Sequence, residues 1–123
     1  MKQFYCALVM GLGFAAVNAN AGCEYPTAPG KFPDGATAPI ADLKAAKVTV
    51  EKYNTDIDTY LACLNDEYKA KVESGDKLTN AQKKDLERML KQKQDAAIKD
   101  SDDVTERMNV QVRAYGVAHP KKQ

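Results

Sequence analysis

Apolar residues recur every three or four positions between residues 40 and 73, a stretch that contains neither proline nor glycine. This spacing places them on one side of an α-helix. The apolar positions are Leu43, Ala46, Val50, Tyr53, Ile57, Tyr60, Leu64 and Tyr68. Charged residues lie largely off this line, among them Lys44, Lys47, Glu51, Lys52, Asp58 and Lys69. The pattern predicts an amphipathic helix over residues 40–73 whose apolar stripe has the width of a coiled-coil seam.

A turn is predicted directly after this helix, over residues 74–79. Gly75 offers a C-cap for the first helix, because glycine adopts the left-handed conformation in which many helices end. Thr79 or Asn80 offers an N-cap for a second helix, because either side chain can accept a hydrogen bond from a free backbone N–H. The second helix is predicted over residues 80–115.

The apolar stripe of the second helix is weaker than that of the first. Lys93 and Asp100 interrupt it, and its apolar members are Leu86, Met89, Leu90, Ala97, Val104, Met108, Val112 and Tyr115. The polar run at residues 100–103 could also split the helix, with Ser101 or Asp102 as a new N-cap. A continuous, bent helix is the favoured interpretation.

The two predicted helices match in length, at about 50 Å each for a rise of ~1.5 Å per residue. A short turn between helices of equal length favours an antiparallel pair. The sequence therefore predicts an all-α fold, a long antiparallel helical hairpin over residues 40–116. Gly116 ends the second helix in this interpretation, and residues 117–123 form a flexible tail.

Residues 22–39 precede the hairpin and carry Pro26, Pro29, Pro33 and Pro39. Four prolines in this short stretch exclude a helix and favour an extended, polyproline-type arm with a turn after Pro33. At ~3.1 Å per residue the arm is long enough to run back along the first helix.

The first 21 residues are predicted to be a signal peptide. An apolar run over residues 4–17 follows Lys2, and the small-residue pattern Ala-Asn-Ala at 19–21 is typical of a cleavage site. A transmembrane anchor is disfavoured because the run falls short of the roughly 20 residues that span a bilayer. A buried core helix is disfavoured because the run has no polar face. The chain is therefore expected to be exported and to begin at Gly22.

Export changes how the cysteines are interpreted. Cys6 lies in the predicted signal peptide, which leaves Cys23 and Cys63 as an even pair. In an oxidising compartment such a pair forms a disulfide more often than a metal or redox site. Attachment of lipid at Cys23 is a minor alternative, and Asn20 departs from the branched aliphatic residue that a lipoprotein signal prefers at that position.

The charge balance argues against two classes of function. The whole chain has 18 basic and 17 acidic residues, and the loss of Lys2 with the signal peptide leaves equal numbers. Proteins that bind nucleic acids or membrane surfaces through charge carry a basic excess. No nucleic acid and no stable membrane insertion after signal cleavage are therefore expected.

No metal or cofactor site is predicted. His119 is the single histidine, and it lies in the predicted tail, where a solvated side chain is expected. Asp100, Asp102, Asp103 and Glu106 suggest a cation site, yet the glycine and the terminal glutamate of a calcium loop are missing. A helix N-terminus or a solvated helix face is the favoured interpretation of this cluster.

No enzyme activity is predicted. A nucleophilic triad has no members, because the histidine is terminal and Cys63 is expected to be oxidised. Glu67, near Tyr60 and Tyr68, is the best candidate for acid–base chemistry, although a salt-bridge role is favoured. The tyrosines Tyr53, Tyr60 and Tyr68 share one helix face and are expected to fill the core.

One surface is a candidate for partner binding. Within residues 106–115, Val110 lies off the apolar stripe together with Asn109 and Arg113. The sequence predicts either a partner-facing surface here or contact with the arm.

Three segments carry a resemblance to known proteins. They are PDGATA at residues 33–38, YLACL at residues 60–64 with Glu67 following, and ERMNVQVRAY at residues 106–115. In this order they resemble a group of small, uncharacterised exported proteins from proteobacteria, over nearly all of the chain that follows the signal peptide. The resemblance implies a periplasmic location, a Gram-negative source and a Cys23–Cys63 disulfide. It implies no activity and no catalytic residues.

These observations together predict a periplasmic protein without catalysis, acting as an interaction or structural module of the cell envelope. Its expected partner is an unknown envelope protein or a second copy of itself, since two hairpins can form a four-helix bundle. A stress-type periplasmic chaperone is the alternative.

Overall fold

The computed structural model describes residues 22–74 and 77–121 of the chain. Helix α1 spans Ile40–Glu73 and helix α2 spans Asn80–Ala118, with no strand among the described residues. The two helices pack antiparallel, and residues 22–39, called the arm from here on, precede them. The predicted all-α hairpin is confirmed. The predicted signal peptide at residues 1–21 lies outside the described residues.

The start of α2 is fixed by its own sequence. Thr79 Oγ1 accepts the Gln82 backbone N–H at 3.2 Å, and Gln82 Oε1 accepts the Thr79 backbone N–H at 2.8 Å. This reciprocal pair is a capping box, which satisfies two backbone donors that have no partner inside the helix. Of the two predicted N-cap residues, Thr79 has this role, and Asn80 is the first residue of the helix.

Helix α2 continues without a break through residues 100–103 and past Gly116 to Ala118. Ser101 does not cap a new helix, because its hydroxyl donates to Asn54 Oδ1 of α1 at 2.9 Å. Asn54 in turn donates to Thr105 Oγ1 at 3.1 Å. Polar side chains in the middle of α2 therefore bond across the hairpin rather than to their own backbone.

The core follows the predicted stripe of α1 closely and that of α2 in part. The buried residues are Leu43, Val50, Tyr53, Ile57, Tyr60 and Leu64 of α1 with Ala97, Val104 and Met108 of α2. Met89 and Val112 were expected in the stripe of α2, and this expectation is wrong, because about half of each side chain is exposed. Val112 lies beside Lys44 and Lys47, whose charged ends stay in water, and Met89 lies beyond the end of the arm.

The arm ends in a turn that leads into α1. Asp34 accepts the Ala38 N–H with its carbonyl at 2.8 Å and the Ala36 N–H with its side chain at 2.9 Å. Gly35 is buried at this turn, and a Cβ placed on it would lie 1.8 Å from the Gln111 carbonyl oxygen. Only glycine allows the arm to approach α2 so closely.

The arm divides the hairpin into two halves. The covered half, residues 40–64 and 97–118, contains all nine buried apolar residues of the two helices. The open half consists of residues 65–74 and 77–96, and none of these described residues is buried. Among the described residues, no helix combines the length and the apolar character needed to cross a membrane.

Candidate interaction surface

Near its N-terminal end the arm is held by an aromatic contact with α1 and a hydrogen bond to α2. The Tyr25 ring packs edge-on against Tyr60, with 4.9 Å between the ring centroids. The Tyr25 hydroxyl donates to Asp100 Oδ2 at 2.6 Å. Asp100, which interrupts the apolar stripe of α2 in the sequence, is therefore a contact residue for the arm.

The pKa values of two tyrosines change at this contact. Burial, followed by the hydrogen bond to Asp100 and its charge, raises the pKa of Tyr25 well above its ordinary range. Burial, followed by the charge of Asp100, raises the pKa of Tyr53. The Tyr53 hydroxyl is buried and has no hydrogen-bond partner among the described residues. Both side chains therefore remain protonated and neutral over the physiological range.

Further along the arm, α2 contributes a cation and an amide. Arg107 donates to the Gly30 carbonyl oxygen, and its guanidinium lies 5.0 Å from the centre of the Phe32 ring. Gln111 Oε1 accepts the Gly35 N–H at 2.9 Å. The arm was expected to run along α1, whereas most of its hydrogen bonds go to α2.

The N-terminal end of the arm is bonded to α1. Cys23 and Cys63 form the predicted disulfide, with 5.7 Å between their Cα atoms. The Cys23 N–H donates to Glu67 Oε1 at 3.0 Å. Because this sulfur is bonded to Cys63, the alternative of lipid attached to Cys23 does not fit the structure. Both sulfurs are also occupied, so the cluster of Cys23, Cys63 and Glu67, with ligand atoms within 4.8 Å, is not a metal site in this state.

Glu67 was the best acid–base candidate in the sequence. The structure places it half-buried at the end of the arm, where it accepts the Cys23 amide. Tyr60 is buried in the core and Tyr68 is half-buried, with its hydroxyl donating to Glu87 at 3.1 Å. Glu67 therefore positions the arm.

A groove begins where the arm ends. This end groove lies in the open half, between the two helices, and has an apolar floor with charged residues at its sides. Its lining residues are Leu64, Glu67, Tyr68, Lys71, Leu86, Met89, Leu90 and Lys93. Glu67 belongs both to this groove and to the contact with the arm. The end groove is thus continuous with the arm's own binding surface.

The opposite side of the hairpin carries a second, wider groove of about 540 Å³. Leu61, Leu90 and Ile98 form its apolar part, and 47% of the Ile98 residue is exposed. No residue of the arm lines this rear groove. Asn65 and Gln94 close it partly, because Gln94 Nε2 donates to Asn65 Oδ1 at 3.0 Å.

The predicted partner surface lies on the outer side of α2. Asn109, Val110 and Arg113 are all exposed. Arg113 donates to Glu106 Oε1 at 2.6 Å, whereas Val110 lies next to Phe32 of the arm. Val110 therefore borders the arm, which is one of the two sequence interpretations, and it remains 45% exposed. The other interpretation, a partner-facing surface, stays a prediction.

The other sequence candidates have local partners. His119 is exposed and ends α2, with its ring stacked on Tyr115 at 4.2 Å between centroids. Within the acidic cluster, Asp100 accepts from Tyr25, Asp103 pairs with Lys99 and Glu106 pairs with Arg113. The cluster lies inside a continuous helix and all four of its residues are exposed, so of the two interpretations the solvated helix face applies and the helix N-terminus does not.

Sequence reasoning missed the residues of α2 that hold the arm. Asp100, Arg107 and Gln111 follow one another at spacings of seven and four, which is the spacing of a single helix face. Lys93 and Met89 continue this face into the end groove. The available signal in the sequence was a line of polar residues along α2, next to its weak apolar stripe. Such a line is consistent with a helix face that a third element covers.

The chain matches no protein-family model, no curated protein and no solved structure.

Proposed function

We propose that this chain is an exported, periplasmic protein that acts without catalysis by binding another protein of the cell envelope. We further propose that the end groove receives an extended, acidic segment of that partner. The export rests on the features of residues 1–21 and on the resemblance to small exported proteins of proteobacteria. The disulfide supports it, because such bonds persist in oxidising compartments.

The observation that carries the proposal is the continuity of the end groove with the arm's binding surface. The arm shows how this hairpin binds an extended chain, with an aromatic contact to Tyr60 of α1 and hydrogen bonds to one polar face of α2. The same face continues beyond the arm through Lys93 and Met89. A second extended segment therefore finds the same kind of surface there.

The charges beside the groove indicate which segment fits. Lys71 and Lys93 line the end groove, and neither is in an ion pair with a described residue. Met89, which is 49% exposed, supplies an adaptable apolar contact between them. A partner with a carboxylate near an apolar side chain matches this arrangement better than a second hairpin, which would present a whole helix face.

The position of Glu67 supports a role without catalysis. Its contact with the Cys23 amide explains why a half-buried carboxylate lies at this point of α1. We therefore assign it to the arm rather than to a reaction.

A site-specific photocrosslinker tests the proposal in the cells that naturally make the protein. The reactive residue is placed at Met89 in the end groove, at Val110 on the predicted surface, and at Val48 as an exposed control on α1. We expect one envelope protein, captured in stoichiometric amount from Met89 and not from Val48. With that protein purified, Lys93→Glu should weaken binding at least tenfold, and Lys47→Glu, outside the groove, should leave it unchanged.

Three outcomes would replace the proposal. Many unrelated proteins captured from every position would favour the chaperone. Capture of a second copy of this chain would favour a homodimer. Capture from Val110 alone would move the docking surface to Asn109, Val110 and Arg113.

A further inference from the structure

We propose that the carboxylate of Glu67 is the binding site for the α-ammonium group that signal-peptide cleavage creates at Gly22. The inference rests on the proposed export, because this group exists only after the bond between Ala21 and Gly22 has been hydrolysed. One water is consumed, the Ala21 carbonyl becomes a carboxylate, and the Gly22 nitrogen keeps the electron pair of the broken bond and takes up protons.

The geometry places Gly22 beside Glu67. The Cys23 N–H donates to Glu67 Oε1 at 3.0 Å, which fixes the carboxylate at the end of the arm. A Cβ placed on Gly22 would lie 3.7 Å from the same oxygen. Because the Gly22 nitrogen is bonded to the Cα that would carry this atom, rotation about the Gly22 backbone bonds brings the nitrogen into contact with the carboxylate.

Glu67 has room for a cationic partner. Among the described residues, Oε1 of Glu67 accepts only the Cys23 N–H, and Oε2 accepts no hydrogen bond. No described lysine or arginine lies within 4.0 Å of it. A half-buried carboxylate gains most from a partner that is both charged and a hydrogen-bond donor.

Cleavage changes what Gly22 offers to this carboxylate. In the precursor the Gly22 nitrogen is an uncharged amide with one N–H. In the processed chain it is an ammonium with three N–H donors and a positive charge. The disulfide at Cys23 keeps this group next to Glu67, so binding needs little further ordering of the chain. Processing therefore strengthens the attachment of the arm.

A thermodynamic cycle tests the inference on protein purified from the compartment to which it is exported. Mass spectrometry first establishes that the chain begins at Gly22. The α-amine is then acetylated near neutral pH, where it reacts in preference to lysine because its pKa is ordinarily lower. Glu67→Gln removes the charge and keeps an amide oxygen for the Cys23 N–H. Asp66→Asn, an exposed neighbour on α1, is the matched control.

We expect acetylation to lower the Tm of the wild-type protein and of the Asp66→Asn control by about 2–5 °C. In Glu67→Gln it should leave the Tm unchanged, because the charged partner is already absent. An equal decrease in all three proteins, or no decrease in the wild type, overturns the inference. A chain that retains residues 1–21 contradicts the proposed export itself, so the two failures are distinguished.

A second measurement needs no substitution. A water-soluble carbodiimide condenses a carboxylate with a neighbouring amine and removes one water. In the processed wild-type protein we expect an amide between the Gly22 nitrogen and the Glu67 carboxyl carbon, detected as a pair of linked peptides. Linkage of Gly22 to other carboxylates only, such as the exposed Glu24, overturns the inference.

Discussion

The two halves of the hairpin have similar helices and very different interiors. In the covered half, the arm closes one side of the contact between α1 and α2, and nine residues are buried there. In the open half the same two helices run side by side, and no described residue of either is buried. Ile57, in the covered half, is 2% exposed, whereas Met89 in the open half is 49% exposed.

The difference shows that a buried core forms only where the arm, the third element of the fold, lies on the two helices. Two helices in contact bury only the narrow line along which they touch, and the edges of each apolar stripe remain in water. The arm covers one of these edges with Tyr25, Phe32 and Gly35. In the open half the corresponding edge of the apolar stripes is not covered by the arm, which is why we propose a docking surface there.

Removal of the disulfide should have the largest effect. The bond closes a loop between residues separated by 40 positions, and its loss as Cys23→Ser with Cys63→Ser should destabilise the fold by about 3–4 kcal/mol. We expect the Tm measured by circular dichroism to fall by about 10–20 °C. Hydrogen exchange should accelerate most in the covered half. An unchanged Tm would mean that the arm stays bound without its covalent link.

The two halves should respond differently to truncation of an apolar side chain. Ile57→Ala removes a fully enclosed side chain and should cost about 3 kcal/mol, through lost burial and the cavity left behind. Met89→Ala, its match in the open half, should cost less than about 1 kcal/mol. Urea unfolding of both variants measures the difference. Equal costs would show that the open half is buried in solution.

Substitution of Gly35 tests the close approach of the arm to α2. Gly35→Ala places a methyl group against the Gln111 carbonyl, so the arm must move away, at a cost of about 2–3 kcal/mol. Gly30→Ala is the control on the same arm, because no atom lies within 4 Å of the added carbon. Thermal unfolding should separate the two variants by several degrees. Similar Tm values would contradict the packed position of the turn.

Tyr25→Phe should have a smaller effect and a characteristic pH dependence. Loss of the hydrogen bond to Asp100 should cost about 1 kcal/mol at neutral pH. The pKa of Tyr25 is raised in the folded protein, so above about pH 10 the unfolded chain loses this proton while the folded chain keeps it. Wild-type stability should therefore fall as the pH rises above this value.

The fall in stability at high pH should be smaller in Tyr25→Phe, which lacks the titrating group, and in Asp100→Asn, which lacks the charge. Some of it should remain, because the pKa of Tyr53 is raised as well. Unfolding in urea between pH 8 and pH 11 measures these slopes. Parallel slopes in all three proteins would show that Tyr25 is not held against Asp100.

At the start of α2, in the open half, the expected effect is the most local one. Thr79→Ala removes half of the capping box and should cost about 1 kcal/mol. Because no described residue near the start of α2 is buried, the loss of hydrogen-exchange protection should be confined to the first turns of this helix. Asn80→Ala, which removes no capping hydrogen bond, is the control. A loss of protection that reaches Val104 would show that the two halves unfold together.

Much of the fold could be predicted from local pattern. In α1, six of the eight stripe residues are buried, because a strict spacing of three and four leaves one face for the core. The stripe of α2 was harder to interpret, since Asp100 and Lys93 interrupt it. These residues mark the face that binds the arm and continues into the end groove.

The candidate site was less predictable. Glu67 was singled out for its chemistry, and its position beside Cys23 depends on the path of an arm that begins 45 residues earlier in the chain. Arg107 and Gln111 carry no signal of their own, because a solvated helix face has the same residues. Contacts between positions so far apart in the chain leave no local pattern.

By itself the sequence determined the two helices, the N-cap of the second and the extended arm, because helix periodicity, capping residues and prolines act over a few neighbouring residues. Only the tertiary structure decided that the arm lies on α2, that it covers one half of the hairpin and leaves the other open, and that Glu67 meets the arm's end. These features depend on which surfaces fit together in space, and close packing between distant segments is a property of the folded chain as a whole.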